Sequence, residues 1–114
     1  MAKYETRLTG DFDGFLRVLE DGVLRGSISA SREDGSDYRE GDVRCAVRVF
    51  ERYSMIGKNR VSMNVTLVGR GENLFVSAIT SGGSQAVFFK INTWGESSFL
   101  DCVIDIIERY KAGR

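Results

Sequence analysis

Residues 99–110 read FLDCVIDIIERY, and the arc swept by their apolar side chains decides the fold. At about 100° per residue, Phe99, Leu100, Val103, Ile104, Ile106, Ile107 and Tyr110 fill a continuous arc of roughly 160°. Asp101, Asp105, Glu108 and Arg109 fill the opposite side. A helix with so wide an apolar face needs a broad apolar partner, and the alternating segments between Val43 and Ile91 supply one as a sheet.

Working outward, Val43, Cys45, Val47 and Val49 share one parity and are expected to face the helices. Val61, Met63, Val65 and Leu67 continue that face, followed by Leu74, Val76 and Ala78, then Val87, Phe89 and Ile91 on a last strand. Turns are expected at Gly57-Lys58-Asn59, Gly69-Arg70-Gly71 and Gly82-Gly83-Ser84. Upstream, residues 3–8 read as a first strand with Tyr4, Thr6 and Leu8 on one side. Asp11 is the expected N-cap of a helix carrying Phe12, Phe15, Leu16, Leu19 and Val23 at helical spacing, ended by Arg25-Gly26. Residues 27–32 read as a short strand, Asp34-Gly35 as its hairpin turn and Gly41-Asp42 as a bulge.

The expected architecture is α+β: a single antiparallel sheet of five to six strands packed on one face by two helices, in the order β-α-β-β-β-β-β-α. Its 114 residues make one domain, 1–114. In element order alone this resembles the helix-grip and TATA-box-binding-protein-like folds.

Composition narrows the function. Hydrophobic residues make up 42% of the chain, with seven Phe, four Tyr and one Trp, enough for a packed core. Sixteen basic residues balance sixteen acidic ones, so no net field draws in nucleic acid or an anionic membrane. There is no histidine, which removes Ser-His and Cys-His nucleophiles and every histidine-containing zinc site. Two cysteines, Cys45 and Cys102, cannot make a four-thiolate zinc site within one chain. Neither a signal peptide nor a membrane span is expected, and the two dispersed cysteines fit a reducing cytoplasm. No nucleophile–base pair or metal set assembles, so the chain reads as a non-enzyme with no cofactor and no metal.

The runs Asp34-Gly35-Ser36-Asp37-Tyr38, Gly41 to Val49, Glu51 to Gly57 and Phe75 to Ala86 together resemble a family of short bacterial proteins known only as a domain of unknown function. The resemblance spans nearly the whole chain and implies a small soluble bacterial protein. It brings no activity, ligand or catalytic residue.

The face of the sheet turned away from the helices is the expected site. On the assigned parity it carries Arg44, Arg48, Phe50 and Arg52, with Asn64, Thr66, Phe75, Ile79, Phe88 and Lys90 beside them. Arginine among exposed aromatics suits a homo-oligomer surface, the first expectation, and equally a single-strand nucleic-acid platform, which the neutral charge disfavours. A small-ligand carrier is the further alternative, with an apolar cavity between sheet and last helix and Glu51 and Tyr53 at its mouth. The acidic run Glu33, Asp34, Asp37, Glu40 and Asp42 lacks EF-hand spacing and reads as a solvated loop. Ser81-Gly82-Gly83-Ser84 runs into an expected strand and reads as a turn. At Thr93-Trp94-Gly95-Glu96, the expected start of the last helix, Glu96 competes with any anion.

Overall fold

The computed structural model describes residues 1–27, 29–54, 59–82 and 89–113; the side chains of Ser54, Asn59 and residues 89–98 lie outside the description. Its elements run β1 (Ala2–Thr9), α1 (Phe12–Arg25), β2 (Ser31–Glu40), β3 (Val43–Ser54), β4 (Asn59–Arg70), β5 (Asn73–Gly82) and α2 (Phe89–Ala112). The five strands form one antiparallel sheet ordered β1-β5-β4-β3-β2, and the helices lie on one side of it. This is the expected α+β architecture, with the order β-α-β-β-β-β-α.

Local chemistry sets the elements. The Asp11 carboxylate accepts the Gly14 N–H at 2.8 Å, capping α1, and Asp13 and Arg25 sit at the dipole ends that favour them. Two hairpins turn through two-residue loops, Gly41-Asp42 and Gly71-Glu72. Each opens on a glycine at φ +60°, a conformation that strains residues with a Cβ.

Two expected elements are corrected. The hairpin turn is at Gly41-Asp42; Asp34-Gly35 lies inside β2, whose register shifts between Arg32 and Asp34. The acidic run is therefore mostly strand. Of the stretch expected as a last strand, Phe89 and Ile91 belong instead to α2, which begins at Phe89, ten residues before the quoted stretch, and Val87 lies outside the described residues. Lys90 is thus helical, residues 93–96 lie within the helix, and Phe88 lies outside the described residues. The turns expected around Gly57-Lys58 and Gly83-Ser84 also fall outside them.

The core lies between the sheet and the helices. Phe50, Met63, Val65, Leu67, Val76 and Ala78 from the strands meet Phe15, Leu19 and Val23 of α1 and Phe99, Val103 and Ile107 of α2. The helices approach each other through glycine: a Cβ on Gly22 would stand 2.6 Å from Cδ1 of Ile106, and one on Gly26 2.6 Å from Sγ of Cys102. Gly22→Val is therefore expected to cost about 1–3 kcal/mol through overpacking, measured by chemical denaturation.

The third strand faces the opposite way from the expected parity. Phe50 pairs with Met63, Arg48 with Val65 and Ala46 with Leu67, so Arg44, Ala46, Arg48, Phe50 and Arg52 take the helix side. Cys45, Val47, Val49, Glu51 and Tyr53 take the other, because a strand's side chains move as a set of alternates. The reason is position: β3 lies next to the edge strand, where the helix layer runs out. Long arginine stems bridge that gap while their heads reach acids on α1 and β2.

Candidate functional site

The inward arginines are built into the fold. Nη1 and Nη2 of Arg44 donate to the two carboxylate oxygens of Asp13 at 2.9 and 2.8 Å, and the guanidinium stacks 4.2 Å from the Phe12 ring centroid. The hydrogen bond from Arg44 lowers the Asp13 pKa. Arg48 is buried; its Nε donates to Glu20 at 2.6 Å, Nη2 to Asp37 at 3.0 Å, and Nη1 to the carbonyls of Ser36 and Val47. Burial opposes its charge, yet Asp37 and Glu20 outweigh burial and raise its pKa. Gly35 leaves room for this head: a Cβ there would lie 3.1 Å from Cδ of Arg48. Arg52 lies over the Phe99 ring at 4.8 Å, and its pKa is lowered by burial. Phe50 is fully buried.

Arg44, Arg48 and Phe50 are accordingly removed from the outer face on which the sequence pattern sets them. Glu51 makes the reverse move. It lies on the outer face, where its Oε2 accepts from Ser62 Oγ at 3.1 Å and its Oε1 stands 3.0 Å from Arg60 Nη2. Tyr53 is on that same face, half exposed, with Arg60 over its ring. Neither stands at a mouth between sheet and helix. A cleft of about 300 Å³ does open elsewhere, lined by Asp11, Phe12, Arg39, Asp42, Arg44, Gly69 and Gly71. Cys45, expected inward, is on the outer face, while burial beside α1 raises the pKa of Cys102.

Phe75 and Ile79 do lie on the outer face, and the strand registers assemble what surrounds them. One row across the sheet runs Tyr38, Cys45, Val68, Phe75, Arg7. The next runs Ser36, Val47, Thr66, Ser77, Glu5, and the third Asp34, Val49, Asn64, Ile79, Lys3. Cys45, Val47, Val49, Val68, Phe75 and Ile79 thus stud the middle of a face that no described helix covers. Ile79 retains 38% and Tyr38 61% of its surface. The polar residues of the middle satisfy one another: Ser77 donates to Glu5 at 3.1 Å and Thr66 to Asn64 at 3.0 Å. The face thus carries an apolar patch framed by charge.

The sequence pattern missed this patch because it assigned the valines of β3 to the core. The available signal was in β2, where Arg32, Gly35, Asp37 and Arg39 alternate with Asp34, Ser36 and Tyr38 beside the arginines of β3. Acids that pair with Arg44 and Arg48 also stand on α1, at Asp13 and Glu20.

Comparison with known proteins agrees with the extent of the resemblance. Among the described residues, no helix is long and apolar enough to cross a membrane. No curated protein and no solved structure matches the chain. The chain belongs to the Family of unknown function (DUF6054), which matches residues 1–111.

Proposed function

We propose that this chain is a non-catalytic interaction module that self-associates through the open face of its sheet. The observation that carries the reading is the apolar patch of Cys45, Val47, Val49, Val68, Phe75 and Ile79, uncovered by either described helix and bordered by charged strand edges. Burying such a patch against a second apolar surface is the largest favourable term open to this face.

Two features favour this over the alternatives. A single-strand nucleic-acid platform built on Arg44 and Arg48 needs both on the open face, and Asp13, Glu20 and Asp37 engage them on the other side of the sheet. A carrier needs room between sheet and α2, and Phe50, Met63, Phe99 and Ile107 fill that space with no exposed surface.

Phe75→Glu tests the reading. It sets a charge at the centre of the patch without touching the core, so the expected product is a folded monomer where the parent associates. Native mass spectrometry and circular dichroism measure both halves. A Phe75→Glu protein that associates like the parent would sink the reading.

A further inference from the structure

We infer that two copies pack open face to open face about a twofold axis running along β4, so that β1 of each copy lies over β2 of the other. The inference rests on the self-association reading and adds to it the partner's orientation and the residues that meet.

A face-to-face dimer has two twofold axes available in the plane between its sheets, one across the strands and one along them. An axis across the strands would lay β1 on β1 and β2 on β2. With the row of Ser36 and Glu5 on that axis, Lys3 and Arg7 would meet the other copy's Arg7 and Lys3, and Glu5 its Glu5. Like charges would face one another along the whole β1 border, which opposes association.

An axis along the strands reverses the strand order, so each row meets itself read backwards. In the row Asp34, Val49, Asn64, Ile79, Lys3, the ammonium of Lys3 then lies over the other copy's Asp34 and Ile79 over its Val49. In the row Tyr38, Cys45, Val68, Phe75, Arg7, the ring of Phe75 lies over Cys45. Arg7 lies over Tyr38, whose hydroxyl donates to Glu40, so that guanidinium meets both a ring and a carboxylate. Both contacts form twice. Neither Lys3 nor Arg7 has an ion-pair partner among the described residues.

The strand on the axis must tolerate meeting itself. The middle of β4 on this face is Ser62, Asn64, Thr66 and Val68, all uncharged. Its charged outer residues stand at the two ends and are already paired, Arg60 with Glu51 and Arg70 with Asp42. Size also fits. Five strands ~4.8 Å apart and up to ~40 Å long give a face of roughly 700 Å², against about 800 Å² per partner in a standard interface. Stacked sheets cross at about 30°, an offset the flexible stem of Lys3 absorbs.

The test uses two charge reversals on exposed strand edges, Lys3→Glu and Asp34→Lys, each in the full chain. Each alone sets like charges at both Lys3–Asp34 contacts, and each is expected to raise the dimer Kd about tenfold or more. Mixed together they restore opposite charges at both contacts, so the heterodimer is expected within ~3-fold of the parent Kd. Native mass spectrometry with one variant ¹⁵N-labelled reads the species directly. If the parent dimerises and Phe75→Glu abolishes it, but the charge variants associate like the parent without preferring each other, the face stands and this axis is overturned. If the parent is monomeric, or Phe75→Glu remains dimeric, the self-association reading fails and takes the axis with it.

Discussion

Phe50→Ala is expected to destabilise the chain by about 3–5 kcal/mol, a large share of the ~5–15 kcal/mol that folded domains commonly have. The ring is fully buried between β4 and the helices, beside Met63 across the strand pair. Truncating it removes the transfer free energy of an aromatic side chain and leaves a cavity that surrounding fully buried residues cannot readily close. Phe75→Ala, on the opposite face two strands away, is expected to cost under ~1 kcal/mol in dilute monomer. Urea denaturation at low protein concentration measures both. Equal costs, or a Phe50→Ala protein as stable as its parent, would mean that β3 does not present this face to the helices.

That comparison bears on what the sequence reveals. The helices were legible because their signals are local: Asp11 caps, Gly26 terminates, and the apolar stripes of α1 and residues 99–110 recur at helical spacing. The strands β4 and β5 were legible because their inner sides are apolar and their outer sides carry Ser, Asn and Thr. Strand β3 was not. Its inner face sets Ala46 and Phe50 among three arginines, and the more uniform apolar face, Val43 to Val49, is the outer. The deciding facts are distant in sequence: Asp13 and Glu20 on α1 accept the arginines, and Gly35 on β2 makes space for one of them. The extension of α2 back to Phe89 was hidden because Val87, Phe89 and Ile91 alternate like a strand, and period-2 spacing over so short a run does not separate strand from buried helix. Of the residues expected on the outer face, Phe75 and Ile79 lie there. The valines that complete the patch were placed in the core.

Arg48→Glu is expected to unfold the chain or cost at least about 3–5 kcal/mol, and it follows from the same reversal of β3. On a solvent-facing platform the substitution would be benign and would read out nucleic-acid binding. Where Arg48 lies, its side chain is 8% exposed and bonded to Glu20 and Asp37. A glutamate there replaces two attractions with two repulsions and leaves the Ser36 and Val47 carbonyls without their shared donor. Arg48→Met separates charge from packing. It keeps an unbranched stem, and it leaves Glu20 with Arg32 at 3.3 Å and Asp37 well exposed to water. The expected loss is about 1–3 kcal/mol. Thermal and urea unfolding of the two variants discriminate the cases: a folded, parent-like Arg48→Glu protein would return this arginine to the surface. A methionine variant as damaged as the glutamate one would mean that loss of the guanidinium's ion pairs and hydrogen bonds, and not the added repulsion, carries the whole cost.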